Sequence, residues 1–187
     1  MKYLVVGGVA GGATVAARLR RLDEKAEIIL FERGKYVSYA NCGLPYYIGD
    51  AIKERQKLFV QTVKGFTDRF RIDIRTEQEV SAVHPDSKSV DVKNLLNGET
   101  YSETYDKLVL SPGAEPLRPN IEGIHHPLIF TLRNVADTDA IKQYITDNHP
   151  KNAVVVGGGF IGLEMAENLH AAGVEVSVVE MANQVMA

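Results

Sequence analysis

The chain states one short plan twice. Tyr3-Leu-Val-Val-Gly-Gly-Val-Ala-Gly-Gly-Ala stands near the start and Ala153-Val-Val-Val-Gly-Gly-Gly-Phe-Ile-Gly-Leu in the last quarter. In each, a β-branched apolar run meets a glycine cluster and passes into a helical pattern, Thr14 to Arg21 in the first and Leu163 to Ala172 in the second. Each helix leads to a strand ending in an acid, Glu27 to Glu32 and Val174 to Glu180. Strand, helix and strand in that order make a right-handed parallel crossover, and the glycines at its first turn are the mark of a dinucleotide-binding unit. The expected fold class is therefore α/β, with two Rossmann-like nucleotide-binding folds.

Phosphate binding wants backbone N–H groups converging on an anion at a helix N-terminus, with no side chain in the way. Gly157, Gly159 and Gly162 fill all three positions of G-x-G-x-x-G, and Glu180 lies 18 residues beyond Gly162, close to the spacing of a ribose-binding acid. A carboxylate there accepts from both ribose hydroxyls and repels a 2'-phosphate, so NADH is favoured over NADPH. In the first repeat Gly7 and Gly12 hold the outer positions, Gly8 follows Gly7, and Val9 replaces the middle glycine. Glu32, 20 residues past Gly12, restores the pattern of an adenosine-bearing ligand. The bland alternative is a glycine-rich turn with no ligand. Two nucleotide folds in one chain suggest two nucleotides exchanging a hydride, one of them a flavin.

Between the repeats, Glu77 to Val83 and Ser89 to Lys93 alternate like half-buried strands and Asn97-Gly98 is a hairpin turn signal, which predicts a small antiparallel β insert. Tyr105 to Leu110 reads as a buried strand stopping at Ser111-Pro-Gly-Ala-Glu-Pro116, and Asp137 to Thr146 as a helix with Ala140, Ile141, Tyr144 and Ile145 on one face. The expected divisions are residues 1–116 as the first part of an FAD-binding domain, 117–150 as linker and helix, and 151–187 as the start of an NAD(P)H-binding domain. Seven residues after Glu180 cannot cover an open sheet, so the second fold is expected to be incomplete and the chain to be the front of a longer protein. The alternative is a sheet closed by a partner chain.

Composition removes several classes of function. A net charge of -3 and a pI near 6.0 give no electrostatic reason for nucleic acid or an anionic membrane as partner. The uncharged run from Tyr3 to Ala17 is interrupted by Gly7, Gly8, Gly11 and Gly12 and is shorter than the roughly 20 residues of a membrane span. A cytoplasmic location is expected. His125 and His126 are adjacent, no Cys/His spacing suits zinc, and Asp137, Asp139 and Asp147 lack calcium-loop spacing, so no metal is expected.

The single cysteine, Cys42, cannot join an internal disulfide and fits a reducing compartment. It follows the first acid-ended strand, near the carboxyl end of a sheet where ligands bind. A thiol acts as a nucleophile only as thiolate. The alternative is a small, buried, inert side chain.

Ser38-Tyr-Ala-Asn-Cys-Gly43, with Gly7-Gly-Val-Ala-Gly-Gly12, Ser111-Pro-Gly-Ala114 and Leu132-Arg-Asn134, resembles the single-cysteine flavoprotein disulfide reductases. These are the coenzyme A-disulfide reductases and the NAD(P)H-dependent coenzyme A persulfide reductases, with NADH oxidases beside them. The likeness runs from Met1 to Ala187 and includes the non-glycine at Val9. Two-cysteine reductases of the same fold carry a C-x-x-x-x-C pair; here the positions five away are Val37 and Tyr47.

The resemblance implies that NAD(P)H reduces FAD, that FAD passes electrons to Cys42, and that this sulfur attacks a small-molecule disulfide or persulfide. With one cysteine, the second sulfur must come from coenzyme A or another small thiol. It further implies that Gly7, Gly12, Glu32 and Arg33 hold the FAD pyrophosphate and ribose, and that Val80 and Gly113 contact the adenosine end. Phe160 would cover the nicotinamide face, and Ser38 and Asn41 would touch substrate. Thr14, Arg18 and Arg21 share a helix face at i, i+4 and i+7, where arginine forks suit the phosphates of coenzyme A, with Arg71 a further candidate. The alternative for these arginines is a solvated helix face. For the full-length parent the resemblance implies a homodimer. Two competing readings are an oxidase or peroxidase cycling Cys42 through sulfenic acid, and a non-catalytic nucleotide-binding fragment.

Overall fold

The uncharged runs of the repeats become the central strands. In chain order the elements are β1 (Lys2–Val6), α1 (Gly11–Leu22), β2 (Glu27–Glu32), α2 (Leu44–Ile48), α3 (Val63–Phe70), β3 (Asp73–Thr76), β4 (Gln78–His84), β5 (Ser89–Asn94), β6 (Thr100–Thr104), β7 (Lys107–Leu110), α4 (Val135–Asn148), β8 (Asn152–Val156), α5 (Phe160–Ala171) and β9 (Glu175–Val179). Short 3-10 turns stand at Asn41–Gly43 and Arg55–Leu58. This computed structural model describes all 187 residues, Met1–Ala187, which gather into two units. One is Met1–Tyr39 with Phe59–Ala114; the other is Ala40–Leu58 with Glu115–Ala187.

In the first unit four parallel strands lie in the order β3-β2-β1-β7, with Leu4 opposite Ile29 and Leu108. A parallel sheet needs cover on both faces. On one face Val5, Ile28 and Leu30 pack with Ala13, Ala16 and Ala17 of α1 and with Phe66 and Ile72. On the other, Leu4, Ile29 and Phe31 pack against Val90 and Val92 of the antiparallel sheet β4-β5-β6. The expected insert is thus a lid on the sheet. Its hairpin turns at Asn97-Gly98, where Gly98 takes φ +78°.

A chain of charges ties that lid down. Glu103 accepts from Lys2 Nζ at 2.6 Å and from Arg75 Nη1 at 2.7 Å, while Arg75 also pairs with Asp73 and lies over the rings of Phe31 and Tyr101. Burial pushes the Glu103 carboxyl up, but the hydrogen bonds from Lys2 and Arg75 outweigh it and hold the group below the usual glutamate range. On the opposite side, buried Arg20 donates to four backbone carbonyls, those of Phe70, Arg71, Asp23 and Glu24. Phe70 and Arg71 stand at the end of α3 and Asp23 and Glu24 just past the end of α1, so one guanidinium ties the two helix ends together.

The second unit holds the parallel pair β8-β9. Ala153, Val155 and Val176 face a core of Ile48, Ile141, Met165, Leu169 and Val174. The other face is open, with Val154, Val156 and Val179 exposed by 64%, 82% and 54%. Helix α4 starts with a capping box: Asn134 Oδ1 accepts from Asp137 N and Asp137 Oδ2 from Asn134 N.

Several details differ from the sequence reading. The strand expected as buried from Tyr105 to Leu110 is β7, Lys107–Leu110, half-buried at Leu108 and Val109 and exposed at Leu110. Helices α1, α4 and α5 begin two or three residues earlier than expected. Ala140 is exposed, and Ile141 alone of its expected face is fully buried. Strand β3, with Ile74 its only apolar residue, has too little apolar periodicity to be read, whereas helix α3 carries a signal that the sequence reading does not use: Val63, Phe66 and Phe70 at helical spacing behind the N-cap Thr62. No helix is long and apolar enough to cross a membrane.

Candidate functional site

The two glycine turns are copies in atomic detail. Gly7 N donates to Phe31 O at 2.8 Å, and Gly157 N to Val179 O at 2.8 Å. Gly7 and Gly157 take φ of +95° and +106°, and a Cβ on Gly12 or Gly162 would run into the carbonyl of Gly7 or Gly157. Only glycine fits these positions. The middle position is freer, which explains how Val9 is tolerated in the first turn.

Each acid closes its turn. Glu32 accepts from Gly8 N at 2.6 Å and from Gly34 N at 2.7 Å. Glu180 accepts from Gly158 N at 2.6 Å and from Ala182 N at 2.8 Å. The N–H of Gly8 is therefore occupied in holding Glu32, a contact the spacing alone did not reveal. The N–H groups of Ala182 and Gly158 hold the Glu180 carboxyl below its usual range, so it carries a full charge at neutral pH. A carboxylate oxygen with one such bond still has a lone pair for a hydroxyl.

Helix caps mark where an anion fits. Thr62 caps α3 and Asn134 caps α4 through their side chains, whereas α1 and α5 have none. The five-residue α2 also lacks a side-chain cap; of the longer helices, the two without one are those that start at the glycine turns, where first-turn N–H groups remain available to a phosphate. Nothing stands within 4 Å of where a Cβ of Gly159 would lie, so that approach is open.

The wall of the first turn comes from Ser111-Pro-Gly-Ala114. A Cβ on Gly7 would meet the Ser111 carbonyl, Ser111 N donates to Val6 O, and Gly113 follows at φ +74°. Ser38 is strained to φ +49°, with its N–H on Gly8 O at 2.9 Å and its carbonyl accepting from Val60 N. Val80 is half-buried in β4 opposite Val92, and Arg33 lies 3.7 Å from Glu79. Thr14, Arg18 and Arg21 are exposed together on the face of α1 turned from its alanines. Arg71 is exposed in the left-handed cap of α3, lending Arg20 its carbonyl.

In the second unit Cys42 is exposed, in the 3-10 turn that Asn41 opens. It is not the buried, inert thiol of the alternative reading. The segment carrying it docks on α4 and α5. Ile48 is buried among Ile141, Met165 and Leu169. Lys142 Nζ donates to Tyr47 O and Asp50 Oδ1 and lies 4.4 Å from the Tyr47 ring centre. Arg55 forks onto both oxygens of Asp139. Phe160, the first residue of α5, is 75% exposed.

Comparison with known proteins follows the same lines. The family description "Pyridine nucleotide-disulphide oxidoreductase" matches residues 1–187. The chain is 45% identical over 184 residues to a coenzyme A disulfide reductase of Staphylococcus haemolyticus, covering 98% of this chain and 41% of that one. Among solved structures, reduced CoADR-RHD of Bacillus anthracis matches with a TM-score of 0.96 and 60% identity, over 99% of this chain and 33% of that one. An NAD-dependent persulfide reductase from A. fulgidus matches with a TM-score of 0.94 and 38% identity, over 99% and 34%. The chain thus spans about two fifths of the length of the curated relatives it matches. With the family description matched over every residue and both glycine turns built alike, the chain belongs to the pyridine nucleotide-disulphide oxidoreductase family.

Proposed function

We propose that the chain carries the FAD turn, the NAD(P)H turn and the redox sulfur of an enzyme that reduces coenzyme A disulfides or persulfides. The observation that carries this reading is the exposed, solitary Cys42 in a chain with two uncapped glycine turns. Gly7, Gly12 and the first turn of α1 would receive the FAD pyrophosphate, with Gly8 acting through Glu32 at the ribose and Arg33, Val80 and Gly113 along the adenosine end. Gly157, Gly159, Gly162 and Glu180 would do the same for NAD(P)H. Because Glu180 is ionised at neutral pH, NADH is preferred over NADPH. Phe160 is assigned to shielding the nicotinamide end.

Bound FAD supplies a two-electron relay between a nicotinamide and a sulfur. The chain's own chemistry lies at Cys42. Its thiolate attacks one sulfur of a coenzyme A disulfide, the S–S bond breaks, and one coenzyme A leaves as thiolate. Cys42 is left in a mixed disulfide. Two electrons then cleave that bond and restore the Cys42 thiolate, releasing the second coenzyme A, which takes a proton from solvent. No second cysteine among these 187 residues competes for the mixed disulfide, so the small thiol stays bound between the two halves of the cycle. Ser38 and Asn41 are assigned to the substrate near the sulfur, and Thr14, Arg18, Arg21 and Arg71 to its phosphates.

A chimera that continues this chain with the remaining length of a full-length relative tests the reading. Cys42→Ser should lower NADH-dependent reduction of coenzyme A disulfide by roughly a hundredfold or more, while flavin reduction by NADH changes less than about twofold. Retained disulfide turnover in the variant would remove Cys42 from the role.

A further inference from the structure

Helix α5 does two things at once. Its first turn follows Gly157–Gly162, the nucleotide turn; its later turns, at Met165, Asn168 and Leu169, back onto the segment that carries Cys42. The contact is close. A methyl group on Gly49, which ends α2, would lie 2.5 Å from Asn168 Oδ1, 2.7 Å from its Cβ and 2.8 Å from its carbonyl oxygen. Asn168 is only 4% exposed, and its Nδ2 donates to Glu164 O at 2.8 Å, which fixes the amide so that its oxygen faces Gly49. Ile48, next in the chain to Gly49, is 1% exposed.

The cysteine segment has little structure of its own to hold it. Between Ala40 and Leu58 it contains one five-residue helix and two 3-10 turns. A helix that short is not stable alone. Its place is therefore set by what it docks against, and at Gly49 it leaves no room for a side chain beside Asn168, two turns along from the nucleotide end of α5.

We propose that Asn168 is a positioning residue for Cys42, and that occupation of the Gly157–Gly162 turn tightens the docking of the Cys42 segment through α5. A dinucleotide on the free N–H groups of the first turn stabilises the helix along its length, because helix formation is cooperative. The last turns then offer α2 a firmer surface. The electron donor's arrival would thus be registered at the sulfur by packing, in addition to any transfer of electrons. This inference rests on reading the second glycine turn as a dinucleotide site.

Hydrogen exchange on the 187-residue chain, with NAD+ alone as the probe, tests it. Saturating NAD+ should slow exchange of the amides from Asn41 to Gly49 by about fivefold, the scale of a modest coupling between sites, while amides of Ile28 to Phe31 are unchanged. Asn168→Ala should still bind NAD+ but lose that slowing. A purely structural role for Asn168 would loosen the segment equally with and without NAD+. If the variant does not fold, Asn168→Ser takes its place. NAD+ that binds the wild type without slowing these amides overturns the coupling, and a variant that keeps the full response overturns the role of Asn168. Failure of NAD+ to bind the wild type at all overturns the reading of the glycine turn instead, and the coupling falls with it.

Discussion

The two repeats agree at their glycine turns and part company one layer away. Leu4, Ile29 and Phe31 correspond in the repeat to Val154, Ser177 and Val179, strand position for strand position. The first set is 0%, 2% and 1% exposed beneath the antiparallel lid; Val154 and Val179 of the second are 64% and 54% exposed. Yet the turns match, bond for bond, at 2.8 and 2.6 Å. The turn is therefore encoded locally, by two glycines, an acid and the strand-to-helix crossing. In the first unit the far face of the sheet is buried by the antiparallel sheet inserted between β3 and β7.

The largest expected effect separates the two faces. Phe31→Ala should destabilise the first unit by about 3–5 kcal/mol, whereas Val156→Ala, already in solvent, should cost less than about 0.5 kcal/mol. Urea denaturation of both variants measures the difference. Equal losses would mean that the valine face is covered in solution and that the contrast between units is not real.

Next come the turns, where the copies should fail independently. Gly12→Ala should weaken FAD binding by at least about tenfold and leave NAD+ binding intact, and Gly162→Ala should do the reverse. Flavin absorbance and NAD+ calorimetry on the same preparations test both arms. Loss of both ligands in either variant would show that the turns are not separate sites.

The smallest effect concerns the lid. Glu103→Gln should cost about 1–2 kcal/mol, since it leaves Lys2 and Arg75 with a weaker acceptor. Glu103 is held below the ordinary glutamate value, so its contribution is present above that ordinary value and disappears as pH falls through the lowered one. Acid titration of stability should thus have a steeper limb in the wild type than in the variant. Limbs of equal steepness would remove Glu103 from the ties of the lid.

Much of this was legible in the sequence. Both crossovers, the antiparallel insert and the hairpin at Asn97-Gly98 follow from apolar runs broken by glycine, and the outer glycines of both turns, Gly7, Gly12, Gly157 and Gly162, fall where only glycine can stand. Less legible were elements held by their surroundings. Strand β3 is Asp-Ile-Arg-Thr and pairs because β2 offers an edge. The Cys42 segment was readable as a motif, but its dependence on Lys142 and Asn168, roughly a hundred residues away in the chain, has no local signal. Spacing marks the acids as candidate ribose ligands and carries no sign of their bonds to Gly8 and Gly158. The recurrence of an acid with a glycine pair in both repeats was the clue available.

Arg20 stands between Arg18 and Arg21 in sequence and shares nothing with them in circumstance. It spends its donors on four carbonyls inside the fold, while its neighbours on α1 face outward. A substitution at Arg20 strikes at the ends of two helices at once. One at Arg18 or Arg21 leaves the packing of α1 untouched. Charge at the outer two positions can therefore be changed without disturbing the helix ends that Arg20 holds. On one stretch of four residues the fold keeps a buried structural guanidinium and two exposed charges apart.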